Sequence, residues 1–273
     1  MGVAEPPTAN RRTPAHGRRR GAVARGGPFP QAGTAPRGGA ASRIAAGGAA
    51  LGALVGTALV TLAVVAGPGP GLTGYVSEAG VADSGYAWTY RIGVFALATA
   101  LLLLATALHP GGGWRGGADQ GGRGVWRGNA LWRGDNGLRI AAVLLVAGGM
   151  ATFLSGAVTC SAGCPLPPFE RATVADLVHG AASVAATAAV VLAMIVIALA
   201  PAAGRTLRRV AAVAMVLALP LAGAVGLAML FVGRGSLVGV LERLLLAVAA
   251  GWGLATATSR CAARDTRLPP SSG

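Results

Sequence analysis

The side chains able to do chemistry in this chain are few and fall at a handful of points. Asp176 and His179 lie three residues apart, Glu242 and Arg243 are adjacent, Ser77 neighbours Glu78, Arg91 stands alone, and Cys160 and Cys164 close a short interval. A carboxylate and an imidazole at that separation share one face of a helix. Asp176 is therefore a candidate to orient His179 as a general base for hydrolysis or group transfer, and Glu78 is a second candidate for that role. Adjacent helical residues diverge by about 100°, so Glu242 and Arg243 cannot point the same way. At least one of them needs a partner on another helix, and Arg91 and Asp176 are the expected ones. A gathering of Ser77, Glu78, Arg91, Asp176, His179, Glu242 and Arg243 at one depth suits a lipid headgroup as well as it suits catalysis.

Metal and cofactor chemistry finds little support. The three histidines, His16, His109 and His179, fall in separate regions, so a three-histidine zinc site is not expected. There is no Gly-x-Ser-x-Gly elbow, and a phosphate-binding loop ending in Lys is excluded because the chain contains no Lys. No cofactor is expected. Cys160 and Cys164 are expected to form a disulfide if their connection faces an oxidising compartment, whereas Cys261 falls on the opposite side and is expected to be reduced.

The elements that carry these residues are six apolar runs, at about 44–66, 88–108, 138–159, 174–200, 207–232 and 237–259. Each approaches the ~20 residues that cross ~30 Å of hydrocarbon as a helix. A β-barrel would need alternating polar and apolar positions, which these runs lack. The expected fold is an all-α bundle of six transmembrane helices over 43–259. An Arg-, Gly- and Pro-rich segment, 1–42, has too few large apolar side chains to offset its ordering entropy and is expected to be a disordered tail. The first run starts too far from Met1 and is too long for a cleaved signal peptide, so a retained helix is expected. A second short tail, 260–273, closes the chain. Pro220 should kink the fifth helix without ending it.

Hydrophobic residues form 53% of the chain and charged ones 12%, far from the composition of a soluble domain. The net charge of +14 would suggest nucleic acid in a soluble protein, but here the arginines alternate between connections. Of 23 arginines, 19 fall in the amino-terminal segment through Arg43, the 109–139 loop, the 201–209 turn and the carboxy-terminal segment. Only Arg91, Arg171, Arg234 and Arg243 lie towards the other side. Both termini are therefore expected in the cytoplasm of a multi-pass plasma-membrane protein, with no nucleic-acid partner. Membrane lipids are the expected partners. Three Trp-Arg-Gly triplets, at Trp114, Trp126 and Trp132, leave the 109–139 loop either against anionic lipid at the cytoplasmic face or solvated. Gly- and Ala-rich helices favour close packing within one chain and between chains alike, so no oligomeric state follows.

Four motifs together resemble a known group. Tyr75-Val76-Ser77-Glu78, the Cys160…Cys164-Pro165 connection, Asp176…His179, and Gly239…Glu242-Arg243 resemble the bacterial six-span membrane family called domain of unknown function 998. The resemblance runs over about 44–258. It implies six spans and a shared polar cluster, and no activity. The leading expectation is a membrane protein that binds or senses a lipid or another envelope component. A hydrolase or transferase using His179 with Asp176 or Glu78, and a small-molecule transporter, stand as alternatives.

Overall fold

The computed structural model describes residues 2, 38–67, 74–109, 136–165, 167 and 169–262. Most of the amino-terminal tail, the Trp-Arg-Gly loop and most of the carboxy-terminal tail lie outside the described residues. Among those described there are six α-helices and no strand: α1 (Gly38–Ala66), α2 (Ala87–Leu108), α3 (Asn136–Ala157), α4 (Val174–Leu199), α5 (Arg205–Phe231) and α6 (Ser236–Ala262). The shortest have 22 residues, about 33 Å at ~1.5 Å per residue, so all six are long and apolar enough to cross a bilayer. The protein is a multi-pass membrane protein.

Several ends differ from the sequence expectation. α1 begins at Gly38, six residues before the apolar run, because the Gly- and Ala-rich lead-in continues the helix. α3 stops at Ala157, where His179 takes up its last carbonyls. α5 starts at Arg205, so Arg205, Arg208 and Arg209 belong to its first turns, and α6 runs on to Ala262. Pro220 lies inside α5, which continues past it to Phe231.

The helices pack in chain order, each against the next, and α6 returns to pack on α1, so the bundle closes as a ring. Small residues set the closest crossings. Cβ atoms added at Gly56 of α1 and Gly93 of α2 would each lie within 3.0 Å of the other's carbonyl oxygen, so these two helices meet backbone to backbone. At the α2–α3 crossing, a Cβ on Gly149 would fall 2.9 Å from Leu102 and 3.1 Å from the Ala98 carbonyl. Inside the ring, Leu104, Leu108, Leu145, Met194 and Ile197 are almost wholly buried in one cluster with Trp252. Outside it, large apolar side chains such as Val213, Leu217, Leu227 and Phe231 of α5 are exposed. In water that surface would be an aggregation hazard, but hydrocarbon is its matching solvent.

Candidate functional site

All the polar groups singled out by the sequence lie at one end of the bundle, where the α1–α2, α3–α4 and α5–α6 connections meet. The first connection carries a short 3-10 turn, Val76–Gly80. Glu78 closes it by accepting from the Tyr75 main-chain N–H at 3.1 Å. The same carboxylate, 7% exposed, takes two parallel hydrogen bonds from Arg234 of the α5–α6 turn, from Nε at 3.0 Å and from Nη2 at 2.9 Å. Two-point contact of this kind matches the planar guanidinium to the carboxylate. The hydrogen bonds from Arg234 to Glu78 hold the guanidinium above its ordinary pKa. Gly163, at φ +83° in the third connection, lies against the same guanidinium, and a Cβ there would come within 2.9 Å of Nη1. Arg234 thus ties all three connections together.

The α3–α4 connection is fixed by Asp176, which is 2% exposed. Its Oδ1 accepts from the Ser161 N–H at 2.7 Å and the Ser161 hydroxyl at 2.8 Å, and its Oδ2 from the Thr173 N–H and hydroxyl, both at 2.7 Å. Thr173 is also the N-cap of α4 and accepts from the Asp176 N–H, so the two residues form a reciprocal capping box. A carboxylate in the first turn also faces the positive end of the helix dipole. Cys160 and Cys164 are joined as a disulfide with Cα atoms 5.0 Å apart, and the Ser77 hydroxyl donates to Cys164 Sγ at 3.4 Å. Tyr75, both cysteines, Ala228 and Val238 pack as an apolar layer of this cap. Burial there raises the pKa of the Tyr75 phenol.

α6 meets the cap through Glu242 and Arg243. Glu242 Oε2 accepts from the Val76 N–H at 3.0 Å, while Arg243 Nη1 donates to the Gly74 carbonyl and the Gly239 carbonyl, each at 2.7 Å. The partners expected from sequence are not the ones adopted. Arg91 lies over the Trp88 ring, 5.4 Å from its centroid, and Asp176 is occupied by Ser161 and Thr173. Main-chain groups of the first connection serve Glu242 and Arg243 instead.

His179 plays a different part from a carboxylate-oriented base. Its Nδ1 lies 2.8 Å from the Ser155 carbonyl and 2.9 Å from the Val158 carbonyl, at the end of α3. Carbonyl oxygens only accept, so Nδ1 carries the proton and the ring closes off α3. Nε2 is buried and makes no hydrogen bond among the described residues. The nearest side-chain hydroxyl is that of Ser155, 3.4 Å from Nδ1 and itself paired with Ser183 at 2.8 Å. The small polar stripe on α4 continues through Thr187, whose hydroxyl returns to the Ser183 carbonyl. Sequence reasoning missed the anchoring roles of Ser161, Thr173, Ser155 and Arg234. The Thr-Val-Ala-Asp spacing at 173–176 was the available signal for the first pair, being a capping-box pattern.

Beneath the cap, inside the ring, lies a cavity of about 360 Å³. Ala49, Ala53 and Thr57 of α1, Ala100 and Leu104 of α2, and Val190 and Met194 of α4 form its walls, with Ala250 and Gly253 of α6. Val76 reaches it from the cap, and among the described residues Arg243 is the one charged residue on its lining. Its size falls at the small end of ligand cavities, and an apolar wall with one fixed polar group is their usual make-up. Among the described residues no group of three His, Cys, Asp or Glu could hold a metal ion.

The class is then a six-helix membrane protein with a polar cap stitched over an apolar interior. A family model described as protein of unknown function (DUF998) matches residues 120–259, just over half of the chain. The chain belongs to this family. The match takes in α3 to α6 and with them the disulfide connection, Asp176, His179, Glu242 and Arg243; the Tyr75-Val76-Ser77-Glu78 segment precedes it. No curated protein and no solved structure matches the chain.

Proposed function

We propose that this protein binds a membrane lipid or another apolar envelope component in the cavity under its cap. The reading places it in a bacterial plasma membrane with both chain ends in the cytoplasm, as the distribution of arginines favours. One observation carries it: the ring of helices leaves a space of about 360 Å³ walled by apolar side chains, and Arg243, the single charged group on its wall among the described residues, stands at the capped end. A lipid has the same polarity profile, with an apolar body and a polar end.

The cap itself acts as a roof in this reading. Glu78, Asp176 and Glu242 already accept hydrogen bonds from Arg234, Ser161, Thr173 and Val76, so their role is to hold three connections in place above the cavity. The test is native mass spectrometry of the purified protein. Wild type is expected to retain bound lipid, and Ala53→Phe, which fills the space with a ring, is expected to lose it. Equal retention by the two proteins sinks the reading. Cysteine-accessibility mapping of the 109–139 loop against the capped end tests the orientation.

A further inference from the structure

The walls of the cavity are not equally closed. Its α2 and α4 sides are the more closed, with Ala100 at 6%, Val190 at 8% and Met194 at 0% exposure and Leu97, Leu101, Ala186 and Thr187 half-buried. On the other side, Thr61 and Val65 of α1 and Leu246 and Ala247 of α6 also line the cavity, and all four are exposed. α1 and α6 are the two helices that meet where the ring closes. The exposed lining residues fall at one seam, and the cavity opens sideways there, into the region that hydrocarbon occupies.

The position of the opening relates to Arg243. Leu246 and Ala247 lie three and four residues beyond it, about one helical turn, and Arg243 itself is seven residues into α6, ~10 Å from the capped end at ~1.5 Å per residue. A cation at that depth sits at the boundary between headgroups and chains, within reach of either. From Thr61 to Ala49 the cavity follows α1 for twelve residues, ~18 Å along the helix axis. It is drawn out along α1, and it starts beside a positive charge.

From these features we infer that the ligand is one acyl chain of an anionic lipid, which enters sideways between α1 and α6 and leaves its headgroup at Arg243. The inference rests on the lipid-binding reading above and adds the class of lipid, the contact for its charge and the route. Arg243 reaches the site while its Nη1 is held by the Gly74 and Gly239 carbonyls, so the guanidinium is fixed in place before the ligand arrives. The hydroxyl of Thr61 offers a second polar group at the opening.

Photo-crosslinking separates the parts. The full chain is reconstituted in nanodiscs carrying trace phosphatidylglycerol or phosphatidylcholine with the same diazirine-bearing acyl chain, and adducts are mapped by mass spectrometry. Phosphatidylglycerol is expected to label Ala100, Leu104 and Met194, which bulk lipid cannot reach, about tenfold or more above phosphatidylcholine, the size of a charge-assisted hydrogen bond. Arg243→Gln should bring the two lipids level while Arg243→Lys keeps the preference, and Ala247→Trp should slow interior labelling severalfold. Thermal unfolding of each variant in detergent confirms that the cap is intact. Interior labelling that is equal for the two lipids in wild type overturns the anionic assignment and leaves the lipid-binding reading standing. Interior labelling at an unchanged rate in Ala247→Trp overturns the sideways route. Adducts confined to outer positions such as Val213 and Leu217 overturn this inference and the lipid-binding reading together.

Discussion

The two ends of the bundle are closed by different means. At the capped end, carboxylates collect the contacts: Glu78 holds Arg234, Glu242 holds the Val76 N–H, and Asp176 gathers Ser161 and Thr173 of the connection that precedes it. At the other end Ala45, Ala46 and Ala107 pack together with Cys261 beside them. The polar contacts described there reach the last carbonyls of one helix from a neighbouring helix. Ser42 and Arg260 both donate to the Ala107 carbonyl in the last turn of α2, and Arg208 Nε donates to the Ala198 carbonyl in the last turn of α4. Those carbonyls have no partner within their own helix, and a cation beside them also meets the negative end of the dipole. Arginine therefore completes a neighbouring helix at one end, whereas Arg234 pairs with a buried carboxylate at the other.

The sharpest way to break that comparison is to remove the most enclosed acceptor. Asp176→Ala leaves two main-chain N–H groups and two hydroxyls without their shared carboxylate at a buried position. Loss of charge-assisted hydrogen bonds at such a site costs about 3 kcal/mol or more. Thermal unfolding in detergent should show the largest fall of any single substitution discussed here. A fall no greater than that of Arg260→Ala would mean that the two ends are held alike.

Next comes Arg234→Ala, which strips Glu78 of its ion pair but leaves it the Tyr75 N–H. Arg234 is 41% exposed on its side chain, so water partly replaces it, and the expected cost is about 1.5 kcal/mol. Glu78→Gln should cost less than Arg234→Ala, because it leaves no buried charge behind. The reverse order, read from the same unfolding curves, would show that the cap depends on Glu78 through its bond from the Tyr75 N–H rather than through the pair.

These partners explain what the sequence could and could not disclose. Six spans are legible because long apolar runs admit one solution in hydrocarbon, and the DUF998 motifs are visible as strings. The grouping of Glu78, Asp176, His179, Glu242 and Arg243 at one end also follows from counting spans. Who bonds whom does not. Glu242 and Arg243 bond main-chain atoms of Val76, Gly74 and Gly239, and a main-chain group looks the same at every position in a sequence. His179 likewise bonds carbonyls of α3, so its spacing from Asp176 suggested a pair that the fold uses for two separate caps. Arg234, placed in a turn between glycines, reads as an ordinary surface arginine until three connections converge on it. The cavity is less legible still, because it depends on how Ala and Gly residues of four helices face one another across the ring.

A smaller effect is expected at the opposite end. Arg260→Ala removes the guanidinium from the Ala107 carbonyl but leaves the Ser42 hydroxyl bonded to it. The expected loss is about 0.5–1 kcal/mol, the usual worth of a cation near a helix C-terminus, and it should shrink at high salt. Arg260→Lys should recover most of it. A loss matching that of Asp176→Ala would erase the distinction between the ends.

The smallest effect, and the most specific, concerns alkaline pH at the cap. Arg234 has a raised pKa because Glu78 bonds its charged form. A group raised in the folded state contributes stability that is fully present below its unfolded pKa and is lost only as pH climbs through the folded one. For arginine that window lies far on the alkaline side, so the pair should be indifferent to pH between ~7 and ~11. Replacing Arg234 by Lys moves the window down, since an unfolded lysine titrates near 10.4. The Tyr75 phenol, raised by burial, also withdraws stability once pH passes the unfolded tyrosine value near 10. That loss is common to wild type and Arg234→Lys, so it cancels in the difference between their unfolding temperatures. The difference should therefore stay constant up to about pH 10 and widen above it as the lysine discharges. A difference that stays constant to pH ~11 would show that the cation at this position contributes nothing through its charge, leaving the packing against Gly163 to account for Arg234.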